Sequence, residues 1–131
     1  MATFDDRSQV EKRSPLPFDV TVERLSRAIS GAGLHVFAVI DHAQNARNAG
    51  LSMPPSTVLI YGKAEGGTPI MLAHPQSALD LPLRVLIRED RGETMVAFSP
   101  IMLVLGPSGV PASLATKLEP AQALLFKALE T

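Results

Sequence analysis

A chain of 131 residues with 12 basic and 13 acidic side chains, formal net charge −1, has the length for one core and no broad field to attract phosphate backbones or anionic lipid. Apolar residues make up 46% and charged ones 19%, so a packed domain is expected and global disorder is not. One Tyr, five Phe, no Trp and no Cys exclude disulfides and thiolate chemistry and leave little for a base-stacking platform.

Residues 1–14 are predicted to be a leader, poorly ordered or carrying a short edge strand around Val10 to Arg13, and residues 15–131 a single domain. The leader lacks an apolar core of signal-peptide length, and no run approaches the roughly 18 apolar residues of a membrane span. A cytoplasmic protein with neither membrane nor nucleic-acid partners is the expectation. Pro15 and Pro17 then form an extended connector.

From Asp19 the pattern turns helical, with Val22, Leu25, Ile29 and Ala32 on one side and Glu23, Arg24, Arg27 and Ser30 on the other. Asp19 or Thr21 is the expected cap, and Gly31 or Gly33 the stop. His35 to Ile40 is apolar on both alternating faces, which predicts a central strand. Asp41 ends it and, with Gln44 three residues on, has capping-box spacing for a helix from Ala43 to about Ala49.

After Pro54-Pro55, Thr57 to Tyr61 reads as a second core strand and Gly62 to Gly67 as a loop. Thr68-Pro69 has the form of a helix cap and first helical residue, for a short helix stopping near His74-Pro75. Leu83 to Glu89 and Thr94 to Ser99 flank Asp90-Arg91-Gly92 and predict a hairpin with Gly92 in the left-handed region. Ile101 to Leu105 fits strand or helix. Ala121, Leu124, Leu125, Ala128 and Leu129 form an apolar stripe on a C-terminal helix, packed on the sheet or on a partner. The order of elements predicts an α+β fold with a mixed sheet packed with helices.

Three blocks in order carry a family likeness: Phe37-Ala38-Val39-Ile40-Asp41-His42-Ala43, the run from Tyr61-Gly62-Lys63 to Ile70-Met71, and the run from Leu79-Asp80-Leu81-Pro82 to Asp90. Together they resemble the domain of unknown function 302 family, whose fold is described as TT1751-like. The resemblance implies an α+β fold, a homodimer, and a short helix at Ile101 to Leu105; it implies no established activity. The chain departs from relatives in having Lys63-Ala64 where an Asn-Pro pair often follows the aromatic-Gly pair, and in lacking a Cys before the first hairpin strand.

Five positions are candidates for chemistry. His42 is a possible acid or base at a strand end, with Asp80 as its partner. Adjacent strand residues point to opposite sides, so Asp41 does not orient His42 and is assigned the capping role. Gly62, Gly67 and Thr68 line a turn into a helix where a ligand, an anion included, would meet free N–H groups. That turn lacks the glycine fingerprint of dinucleotide sites and the Lys-Ser/Thr ending of a P-loop. His35, His42 and His74 have no metal-ligand spacing, and neither a metal nor a cofactor is expected. Leu105 to Gly109 lacks the nucleophile-elbow spacing.

The leading expectation is therefore a homodimeric small-molecule-binding module, its apolar cleft near His42, Gly62, Gly67, Thr68 and Asp80. The alternatives are an enzyme using His42 with Asp80, and an interaction protein acting through a dimer surface on Leu124, Leu125 and Leu129.

Overall fold

The computed structural model describes residues 9–130. The predicted leader therefore lies largely outside the described residues, except for its end, which forms strand β1 (Val10–Ser14). Four further strands follow, β2 (His35–Asp41), β3 (Ser56–Gly62), β4 (Leu83–Asp90) and β5 (Glu93–Phe98), in the sheet order β1-β5-β4-β3-β2. Six helices accompany them: α1 (Phe18–Gly31), α2 (His42–Asn48), α3 (Ala64–Ala73), α4 (Ile101–Leu105), α5 (Ala112–Ala115) and α6 (Glu119–Lys127). The α+β class holds.

Every pairing in the sheet is antiparallel, where a mixed sheet was expected. A helix between two strands makes them parallel only if it carries the chain back along the sheet. The seven residues of α2 span about 10 Å, against about 23 Å for the seven residues of β2, so α2 turns the chain without returning it.

The hairpin forms as predicted. Asp90 pairs with Glu93 across a two-residue loop in which Arg91 (φ 54°) and Gly92 (φ 82°) are both left-handed, so Arg91 shares a conformation expected of Gly92 alone. Ile101–Leu105 is helical, as the family likeness implied.

Helix α1 starts at Phe18 without a side-chain cap. Thr21, read above as a possible cap, is instead buried: its hydroxyl lies 2.9 Å from the Pro17 carbonyl and 2.7 Å from Ser14 Oγ, tying the helix to the end of β1. Asp41 does cap α2, since its Oδ1 accepts from the Gln44 N–H at 2.9 Å. Gln44 turns forward to Asn48 and leaves the reciprocal half of the box unmade. Asp41→Ala is expected to cost about 1 kcal/mol, read as a lower urea midpoint at unchanged slope.

The core lies on one face of the sheet. Leu25 and Ile29 of α1 meet Leu59 and Tyr61 of β3, Val85 and Ile87 of β4, and Leu125 and Leu129 from α6 and its C-terminal end. The C-terminal stripe is thus largely spent on the core, which removes Leu125 and Leu129 from any dimer surface. The opposite face carries half-buried Val58, Ile60 and Leu86, flanked by Arg88, whose guanidinium reaches Glu11 at 3.0 Å and Asp90 at 3.6 Å.

Strand β2 is an edge, not the central strand its two-sided apolar pattern predicted. The register shifts between Val36 and Ala38, and Phe37 and Val39 stand 55% and 59% exposed. Two-sided apolarity records what a strand is suited to touch; here Val36 packs against the core, while Phe37 and Val39 stay exposed among the described residues.

Candidate functional site

A cavity of about 630 Å³ opens where β3 ends and α3 begins. That volume is in the range of small-molecule sites. Gly62 closes β3, Lys63 leads into α3, and Gly67 and Met71 present one side of that helix to the space. Leu81, Pro82 and Leu83 form the wall before and at the start of β4, while Leu34 and Phe37 contribute the β2 side. The last wall comes from Lys117, Leu118, Ala121 and Leu124, around the start of α6.

Two contacts set that last wall. Tyr61, fully buried, donates its hydroxyl to the Ala121 carbonyl at 2.8 Å and so joins β3 to α6. Burial pushes the Tyr61 phenol well above its ordinary range, which keeps it neutral and a donor. On α3, Gly66 lies so near Leu118 that a Cβ there would stand 3.3 Å from its Cδ2, and 4.0 Å from Lys63 Cγ. A side chain at Gly66 would require the Leu118 side chain to give way by a few tenths of an ångström.

The predicted site residues divide. Gly62, Gly67 and Thr68 come together on the cavity, as grouped above. The local geometry differs from the expected turn, because α3 begins at Ala64 and places Pro69 inside the helix. The N–H groups of Gly66 and Gly67 already donate to the Lys63 carbonyl, at 3.1 and 3.2 Å, so they are not free for an anion. Thr68 is an exposed helical residue and not a cap.

His42 and Asp80 lie elsewhere. His42 is exposed at the start of α2, beyond the Asp41–Thr57 pair, whereas Gly62 pairs with His35 at the other end of β2. Asp80 lines a second, smaller cavity of about 310 Å³ with Arg84, Ser99 and Gln122, and accepts from Ser108 Oγ at 3.2 Å. Between Ile87, opposite Thr57, and Leu83, opposite Tyr61, β4 runs four residues, or about 13 Å. The expected His42–Asp80 partnership is corrected accordingly: the two groups belong to opposite ends of the sheet. His42 drew attention through its adjacency to Asp41 in the chain, which the strand-to-helix turn converts into capping for Asp41 and solvent for His42.

His35 tilts against Phe37 with ring centroids 6.0 Å apart, and the His74 carbonyl accepts from Ser77. Among the described residues no group of three His, Asp or Glu is arranged to hold a metal ion. Lys63 and Lys117 are the site residues that sequence reading missed. Lys63 had the adjacent Gly62 as its signal; Lys117 had none, because it reaches the cavity only through tertiary packing.

Comparison with known proteins gives a match to the family described as "Domain of unknown function DUF302" over residues 10–131. The fold is also that of an uncharacterized conserved DUF302 protein from Bacillus stearothermophilus, whose crystal structure superposes with a TM-score of 0.81 at 15% identity, covering 93% of this chain and 95% of that one. Two curated relatives are named "Fluoride-specific ion channel FluC 1", from Brucella suis biovar 1 (strain 1330) and Brucella abortus biovar 1 (strain 9-941). Each is 36% identical over 90 residues, 69% of this chain but only 35% and 33% of theirs. The chain thus spans about a third of the length of these curated relatives. Among the described residues no helix is long and apolar enough to cross a membrane.

Proposed function

This chain belongs to the family of domains of unknown function 302, and from that membership, which carries a fold and no activity, we propose that it is a small-molecule-binding module. The ligand enters the apolar cleft between α3, Leu81 to Leu83 and the start of α6. The observation that carries this reading is the cavity itself: about 630 Å³, walled by Leu34, Phe37, Met71, Leu81 and Leu124, with its polar side chains few. Acid–base catalysis by His42 and Asp80 has no such support, since Asp80 lines the smaller cavity and His42 stands exposed beyond the far end of β2.

A modular role also agrees with the relatives. The same fold accounts for nearly all of the Bacillus stearothermophilus chain, whereas the matched segment is about a third of the proteins named as fluoride-specific channels. We read the segment as a unit used both alone and within longer chains.

The test uses Gly67. A methyl there would make ordinary contacts, 3.6 Å from Met71 Cε and 3.7 Å from Leu81 Cδ1, so Gly67→Ala should bind as the parent does. Gly67→Phe extends a ring into the space between those side chains and should weaken the neutral fluorophore N-phenyl-1-naphthylamine by at least about tenfold in a fluorescence titration. Undiminished binding by the Phe variant would remove the cleft from consideration.

A second reading is favoured by β2. The edge strand β1 carries Glu11, Lys12 and Arg13, but β2 runs from Val36 to Ile40 without a charge. Sheets ordinarily protect their edges with charge, so an apolar edge with Phe37 and Val39 exposed fits pairing with a second copy. We propose a homodimer formed there.

A further inference from the structure

We propose that the ligand of this cleft is an amphipathic anion, an apolar body with one carboxylate or sulfonate-like group held between Lys63 and Lys117. This rests on the cleft being a binding site and adds the chemical class of what it takes. The charged side chains on the cavity are these two, and both are cations. The whole chain does not dictate that bias, because its acidic residues outnumber its basic ones by 13 to 12.

Both lysines line this one cavity, from the lead into α3 and from the segment before α6. Gly66 sits against the Leu118 side chain and the Lys63 stem, so the residue next to Lys117 and the root of Lys63 meet across a single glycine. Both lysines are exposed, and among the described residues neither forms an ion pair, although five pairs occupy arginines elsewhere. Two ammonium groups at the mouth of an apolar space match a ligand whose charge remains at the water boundary while its body is buried. A dianion carried deep into the pocket would find no polar partner there. A neutral ligand would leave the cation pair without a role.

The experiment compares two probes with closely similar aromatic bodies, 8-anilinonaphthalene-1-sulfonate and neutral N-phenyl-1-naphthylamine, on the full chain. Lys63→Met with Lys117→Met keeps the stems and removes the charges. The sulfonate should bind this double variant about tenfold more weakly, and the neutral probe should be unchanged within about twofold. Lys63→Arg with Lys117→Arg should restore the sulfonate, and added salt should weaken the sulfonate alone. Dodecanoate should displace the sulfonate from the parent more effectively than dodecanol does. Equal loss of both probes, or no loss of either, would overturn the anion assignment while leaving the cleft intact. Failure of the parent to bind either probe would overturn the cleft and this inference with it.

Discussion

Tyr61→Ala should cost the fold about 3–5 kcal/mol, a large part of the total stability of a domain this size. Tyr61 heads the largest fully buried side chains and stands on the core face between Leu59 and the end of β3, opposite Leu83. Removing it opens a cavity and also leaves the Ala121 carbonyl without the phenol. Tyr61→Phe separates the two effects. It retains the ring and loses only the hydrogen bond, so about 1–2 kcal/mol is expected. Because that bond holds α6, the Phe variant should also bind the neutral naphthylamine more weakly, even though Tyr61 does not line the cleft.

The same residue gives a pH dependence of known sign. The folded phenol titrates above its ordinary value of 10.0 because burial penalises the phenolate. Above about pH 10 the unfolded chain gives up this proton while the folded chain retains it, so the phenol's contribution to stability is constant below that point and falls as pH rises through it. Since this is the chain's one tyrosine, tyrosinate absorbance should rise together with loss of structure, not before it. Tyr61→Phe should show a shallower alkaline decline in urea midpoint. Tyrosinate appearing in a still-folded chain would contradict the burial argument.

Val39→Lys should prevent the proposed β2-edge dimer, with dimerisation weakened by at least about tenfold. The residue is 59% exposed on the β2 edge, so its replacement disturbs little within one chain, and monomer stability should stay within about 0.5 kcal/mol. In a two-fold pairing of β2 edges, however, both introduced lysines would fall within the interface, and each ammonium would have to give up water. Light scattering during gel filtration reads the outcome. A parent chain that is monomeric at micromolar concentration would end the dimer proposal, and a Val39→Lys chain that remains a dimer would move the interface away from β2.

Legibility in the sequence followed the range of the interactions involved. The hairpin, the Asp41 cap and the helical stripe around Leu25 and Ile29 are written in local chemistry, and all three appear in the structure. The grouping of Gly62, Gly67 and Thr68 was legible for the same reason, being one short stretch of chain. Even there, Thr68-Pro69 misled, because the helix had already started at Ala64 and accommodates the proline. Lys117, Leu118 and Ala121 reach the cleft from more than forty residues away, and no spacing rule connects them to Gly62. The position of β2 was hidden differently. An apolar strand looks the same whether its neighbour belongs to its own chain or to another.

Charge on one rim of the sheet has a consequence for growth. With β1 carrying Glu11, Lys12 and Arg13 and β2 bare, the sheet has one end fit for extension and one that resists it. Joining two bare ends uses both of them and leaves charged ends outward. In the proposed dimer, strand addition would therefore terminate after a single step, and the same charges that make β1 a poor partner would keep that assembly from becoming a fibre.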